Sequence, residues 1–274
     1  MLKLPVVRGA NIRILQITDT HLFAEKDETL LGVNTFHSYS AVLEAVKTEQ
    51  RHFDLDLVVA TGDVAHDHSP EAYSYFATGI AQLPAPCVWL PGNHDFQPTM
   101  VNILAKSAIS PAKQVLLGNH WQLLLMDSQV YGMPHGELSD YQLKWLAQRL
   151  TQQPQRHTLL LLHHHPFPSG CIWLDQHSLR NAHMLADVLL LHQRVKILLC
   201  GHIHQEQDVD WLGRRALATP STCVQFKPHC TNFTIDAVGP GWRYIDLLPD
   251  GEVRTEIRRL GGTEHLPDMD YKGY

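Results

Sequence analysis

Cysteine is scarce and unpatterned in this chain: five copies, at 87, 171, 200, 223 and 230, with no C-x-x-C pair. An odd, scattered set argues against a disulfide framework and for a reducing compartment. No apolar run approaches the roughly 18 residues of a membrane span, and residues 1–8 lack the apolar stretch of a signal peptide. A soluble, cytoplasmic protein without a membrane partner is expected. Positive charge is also short, at 22 Lys and Arg against 28 Asp and Glu. That balance gives no broad basic surface for nucleic acid. Repeats, low-complexity tracts and linkers are missing. At 274 residues one domain over 1–274 is expected, with a core at about residues 12–260 and a polar, loosely held tail over 261–274.

Histidine is the residue in excess, with 19 copies. A single metal site absorbs only some of these, so others are plain core or surface residues. Several nevertheless sit in short clusters where apolar runs end. These are Asp19-Thr20-His21, Gly62-Asp63, Gly92-Asn93-His94-Asp95, His163-His164-His165-Pro166 and Gly201-His202-Ile203-His204. Carboxylate, amide and imidazole groups at several strand ends can meet at one sheet edge, where α/β folds build their sites. An isolated Asp-x-His is common, and Gly-Asp after a strand is most often a turn. The series in this order is rare by chance.

The apolar runs at 12–17, 55–60, 87–90, 123–126, 159–162 and 195–199 are short and nearly unbroken, as in strands buried on both faces. Ser69-Pro70-Glu71 reads as a cap with proline at the first helical position. Ser139-Asp140-Tyr141-Gln142 reads as a capping box. Residues 36–50 and 179–192 read as further helices. After Gly201 the texture changes to alternating strands, and Asp250-Gly251 marks a hairpin.

The motif series resembles the calcineurin-like metallophosphoesterase superfamily. The segments Ile14-Leu15-Gln16-Ile17-Thr18-Asp19-Thr20-His21, Trp173-Leu174-Asp175-Gln176-His177 and Pro220-Ser221-Thr222-Cys223-Val224-Gln225-Phe226 are similar to the bacterial class III 3',5'-cyclic AMP phosphodiesterases. The resemblance implies an α/β fold of mixed type, a four-layer αββα sandwich of two mixed sheets flanked by helices. It also implies two divalent cations, iron or manganese, with zinc compatible. One cation would take Asp19, His21, Asp63 and His204, the other Asp63, Asn93, His163 and His202, with Asp63 bridging. These side chains would leave room for hydroxide and a substrate oxygen, and His94 would protonate the leaving oxygen. His21, Asp63, Asn93, His94, His163 and His204 would contact the substrate, a small cyclic nucleotide, and the product would be 5'-AMP.

Alternatives remain at single positions. The family's pattern selects the first histidine after the strand, His163, but the third histidine in this run leaves His164 open and gives His165 a supporting or packing place. His66 and Asp67 are close enough in sequence to Asp63 to enter the site, but a solvated loop before the Ser69 cap is the favoured reading. Asp95 reads as an orienting partner, and Cys200 as a small buried hydrophobe rather than a thiolate ligand. Segments 171–182 and 219–229 read as a substrate rim. Rival functions are another phosphoester hydrolase of this fold, acting on a nucleotide pyrophosphate, phosphomonoester or phosphoprotein, and a non-catalytic scaffold.

Overall fold

The computed structural model describes residues 1–5, 11–271 and 273. Residues 6–8 of the N-terminal segment, and 272 and 274 of the tail, lie outside the described residues.

Two mixed sheets face each other. The six-stranded sheet runs Val253–Arg259, Gly241–Leu247, Ile12–Ile17, Leu57–Ala60, Cys87–Trp89, Ile109–Ser110. Its last four strands are parallel, and the late hairpin pairs antiparallel onto Ile12–Ile17. The seven-stranded sheet runs Leu2–Leu4, Gln114–Leu117, Trp121–Leu125, His157–Leu161, Val195–Cys200, Arg214–Ala218, Gln207–Trp211. The four strands from Trp121–Leu125 to Arg214–Ala218 are parallel neighbours.

The unbroken apolar runs follow from this layering. Successive side chains of a strand point to opposite faces, and here both faces are covered. Ile14, Leu57, Val59, Leu159, Leu161 and Ile197 point between the sheets. Leu15, Ile17, Val58 and Ala60 point outward instead, against Tyr39, Val42, Val46, Tyr73 and Phe76. On the far side Leu160 and Leu198 pack against Leu143, Leu146, Leu185 and Leu189. The layers are therefore helix, sheet, sheet, helix. Burying each large aliphatic side chain contributes about 1.5–3 kcal/mol.

The helices begin where cap chemistry places them. Ser69 accepts from Ala72 N with Pro70 following, and the Ser139–Gln142 box forms in full. The helix expected at 36–50 is Thr35–Glu49, capped by Asn34. The one expected at 179–192 is shorter, Ala182–Leu190. Its first residues are drawn elsewhere: Leu179 N donates to His165 O at 3.0 Å and Arg180 N to Gly136 O at 2.9 Å. Helix Gln97–Leu104 has no side-chain cap, and Pro98 in its first turn is its only start signal. The tail is held rather than loose at Asp268, whose N–H donates to Leu31 O at 2.9 Å.

Candidate metal centre

Strand ends from both sheets converge on one seam. Asp19 and His21 follow Ile12–Ile17, Asp63 follows Leu57–Ala60, and Asn93 follows Cys87–Trp89 in one sheet. His163 follows His157–Leu161, and His202 and His204 follow Val195–Cys200 in the other. The expected residues are brought together. Asp63 Oδ2 lies 3.1 Å from His163 Nε2 and 3.8 Å from His21 Nε2. Asp19 Oδ1 lies 3.4 Å from His204 Nε2 and 4.0 Å from His163 Nε2. Asn93 Oδ1 is 3.2 Å from His163 Nε2.

The backbone is strained where these groups sit. Nine non-glycine residues among those described have positive φ, and five are Asp19 (54°), His21 (45°), Asp63 (50°), His202 (70°) and His204 (49°). Such conformations cost about 1–3 kcal/mol each and persist only where surrounding structure enforces them. Crowding explains two of the motif glycines. A Cβ on Gly92 would lie 2.1 Å from Asp63 Oδ1, and one on Gly62, at φ +98°, would lie 2.5 Å from His163 Nδ1.

Two of the imidazoles are oriented from behind by backbone carbonyls. His163 Nδ1 pairs with Thr61 O at 2.7 Å and His204 Nδ1 with Val224 O at 2.9 Å. A ring that donates from Nδ1 to a carbonyl presents a bare Nε2, the usual arrangement of a metal-binding histidine. Thr61 belongs to a buried polar chain between the sheets: its Oγ1 accepts from Gln16, which accepts from Thr219, which accepts from Arg243. Asp95, fully buried, accepts from Val64, Ala65 and Gly92 N–H groups at 3.0, 3.1 and 2.9 Å. It thus clamps the loops carrying Asp63 and Asn93.

The charge pattern suits cations. Burial opposes ionisation of Asp63, yet His163, His94 and His21 outweigh it and hold this carboxyl well below its usual range. Burial likewise disfavours His163 imidazolium, but Asp63 pulls its pKa up to about 9. Burial, then Asp63, raise Asp95 to about 7. Burial pushes His21, His164 and His202 well below their ordinary value, so these rings are neutral. Nε2 of His202 and Nε2 of His164 are buried without a hydrogen-bond partner. Donor atoms of four sets lie within 4.8 Å of one another: Asp19, His21 and His204; Asp19, Asp63 and His163; His163, His164 and His202; and His21, His66 and His94. Overlapping oxygen and nitrogen donors of this kind fit two divalent cations.

Other positions resolve as follows. His165 Nε2 meets Asp175 Oδ1 at 3.3 Å, a supporting contact. Burial opposes the Asp175 carboxylate, but His165 and Ser169 hold it down at about 2. Cys200 Sγ donates to Leu217 O at 3.3 Å, and burial raises its thiol, so no thiolate forms. Asp67 stays in the loop, accepting from Ala24 N and Ser69. His66 departs from the solvated loop expected for it: its ring stacks on His94 at 4.8 Å. The signal was its spacing of three from Asp63, which gains meaning only from the pairing of residues 64–66 beside Leu22.

A cavity of about 640 Å³ opens over the seam. Asp63, Asn93, His94 and His202 form its floor, and Trp173, Leu174, His177, Phe226 and Phe233 one wall. Both rim segments expected from the sequence thus contribute to it. Phe226 also stacks on His204 at 4.5 Å, planes 13° apart, which ties the wall to a proposed ligand beneath it.

Two facing mixed sheets with this donor set at their joint edge define a metallophosphoesterase. The chain belongs to the calcineurin-like phosphoesterase family, whose model matches residues 12–206. It is 63% identical, over all of this chain and 99% of the relative, to the 3',5'-cyclic adenosine monophosphate phosphodiesterase CpdA of Escherichia coli K12. A dimetal phosphatase from Danio rerio has a similar structure, with TM-score 0.61, 16% identity, 89% of this chain and 98% of that one covered. So does GAP50, the anchor in the inner membrane complex of Plasmodium, with TM-score 0.63, 13% identity, 96% and 90% covered. A phosphatase and an anchor sharing one fold leave the chemistry to be argued from the site.

Proposed function

We propose that this protein is a metal-dependent phosphodiesterase that hydrolyses the 3' ester of 3',5'-cyclic AMP, giving 5'-AMP and lowering cellular cyclic AMP. The observation that carries the substrate is the 63% identity along the full chain to a protein named for that activity. The donor geometry supports the reaction class independently. Asp19, His21, Asp63 and His204 would hold one cation, and Asp63, Asn93, His163 and His202 the other. When bound, two such cations neutralise phosphoryl charge and make water acidic enough to attack phosphorus in line. The metal is iron or manganese in this reading, with zinc chemically compatible.

The chain's own residues do the rest. His94, on the cavity floor, gives a proton to the departing 3' oxygen. Its N–H is anchored to Asp63 Oδ1 at 2.8 Å, so the acid is set beside the phosphoryl position. Trp173, Phe226 and Phe233, with ring centroids 5.0–5.7 Å apart, offer an aromatic wall for the base. The cavity volume suits a nucleotide. The whole chain acts as one domain in this reading, in the cytoplasm, with a small-molecule partner rather than nucleic acid or membrane. No helix among the described residues is long and apolar enough to cross a membrane.

His163→Ala should weaken metal binding by more than the roughly 10- to 100-fold typical of residues that only support a ligand. His164→Ala should cost less, because its removal leaves Asp63 and Asn93 with the His163 imidazole they face at 3.1 and 3.2 Å. A metal titration with the reverse order moves the ligand by one position.

The substrate is tested by assaying manganese-loaded protein against cyclic AMP, cyclic GMP, a 2',3'-cyclic nucleotide and a phosphomonoester. Cyclic AMP should give the highest kcat/KM. A phosphomonoester in first place would transfer the assignment to another hydrolase of the fold.

A further inference from the structure

His66 lies where three rings meet. Its Nδ1 is 3.2 Å from His21 Nδ1, its ring stacks on His94 with planes 20° apart, and Phe23 packs against it at 4.9 Å. The backbone puts it there: residues 22 and 65 form a parallel bridge, and His66 N donates to Leu22 O at 2.8 Å. The loop after Asp63 therefore runs beside the one carrying His21.

The hydrogen-bond logic rests on the ligand assignment above. If His21 gives Nε2 to a cation, its proton is on Nδ1. The nitrogen 3.2 Å away must accept that proton, which makes His66 Nδ1 bare and puts the His66 proton on Nε2. His163 and His204 use backbone carbonyls for this purpose, and a carbonyl cannot be mutated or rotated away. His21 uses a side chain, and the same side chain is the surface on which His94 rests.

We propose that His66 is a positioning residue that fixes the metal-binding tautomer of His21 and, through the stack, the orientation of His94. Its donor atom lies within 4.8 Å of those of His21 and His94, but with its Nδ1 turned to His21 Nδ1 it would support the ligand rather than be one. One residue thereby couples the integrity of one metal position to the placement of the acid.

The test compares His66→Leu and His66→Gln with the parent chain. Leucine removes acceptor and ring; glutamine restores an acceptor oxygen without an aromatic face. Each full-length protein is stripped of metal and titrated with manganese by calorimetry, then assayed at saturating metal on cyclic AMP and on a nitrophenyl phosphodiester. His66→Leu should weaken one of the two cations by roughly 10- to 100-fold, the range for partners of ligand imidazoles, and leave the other near the parent. His66→Gln should recover most of that affinity. Both variants should lose more on cyclic AMP than on the aryl diester, since both lack the stack and only cyclic AMP needs the proton from His94.

Parent-like metal affinity in His66→Leu, or a loss that glutamine does not relieve, overturns the tautomer role. Equal losses on the two substrates overturn the role toward His94. If His66→Leu does not fold, His66→Gln carries the test alone: it must hold both cations near parent affinity and still lose selectively on cyclic AMP. A parent protein that binds no metal, or leaves cyclic AMP intact, sinks the reading of the site itself and is distinguishable from every outcome above.

Discussion

Asp63→Ala is expected to abolish detectable hydrolysis and to lower occupancy at both metal positions. Its carboxylate reaches toward His163 at 3.1 Å and His21 at 3.8 Å, one side chain from each proposed cation set. Two cations a few ångströms apart repel, and a bridging carboxylate is what offsets that repulsion. Removing it also frees the His94 N–H that Asp63 Oδ1 holds at 2.8 Å. His202→Ala serves as the contrast, since it should chiefly empty one position. Metal analysis of Asp63→Ala showing two cations per chain at parent stoichiometry would make the bridging assignment wrong.

His94→Ala should cost about 100-fold to 10,000-fold on cyclic AMP and much less on a nitrophenyl phosphodiester, with both metals retained. The 3' alkoxide of ribose is a poor leaving group that needs a proton, whereas nitrophenolate departs without one. His94 is suitably placed: it lines the cavity beside Asp63 and Asn93, edge-on to His21 at 5.0 Å. Burial lowers its pKa and Asp63 pulls it back up, so the two effects compete over the proton the acid must carry. Rates on both substrates and metal content belong to the same preparation. Equal losses would point instead to His94 stabilising phosphoryl oxygens or bracing the Asn93 loop.

Much of this site was legible because its ligands follow strands whose apolar runs are unmistakable. A strand covered on both faces carries few polar groups before its end, so the clusters that hold Asp19, Asp63, Asn93, His163 and His202 stand out by position, while their proposed roles came from the family resemblance. The α/β class follows from the same runs and the late hairpin, whereas the four-layer architecture came from the family resemblance. What supports the ligands was not legible, because it is set by tertiary proximity. The Asp19 carboxylate accepts the backbone N–H of His202 at 3.0 Å, 183 positions away. The carbonyl that orients His163 lies 102 positions from it, on Thr61. Asp95 shows both sides: its place beside the centre was readable, but its partners are backbone amides of its own loop and of the neighbouring one rather than metal-site side chains. His66 was misread for a related reason. In sequence it belongs to a polar loop, and only the pairing of that loop with Leu22 turns its ring inward. The shortened helix Ala182–Leu190 has a similar cause, since Leu179 and Arg180 satisfy the triple-histidine segment and Gly136 before any helix starts.

The most direct measurement is to let the manganese-loaded protein act on 3',5'-cyclic AMP in oxygen-18 water and to identify the product by mass spectrometry and phosphorus NMR. Attack on phosphorus with expulsion of the 3' oxygen yields 5'-AMP alone, with one heavy oxygen on phosphorus, and the same preparation of Asp63→Ala yields none. Formation of 3'-AMP, a label on the ribose instead of the phosphate, or no turnover of cyclic AMP by protein that holds both metals would contradict a two-metal hydrolysis of the 3' ester.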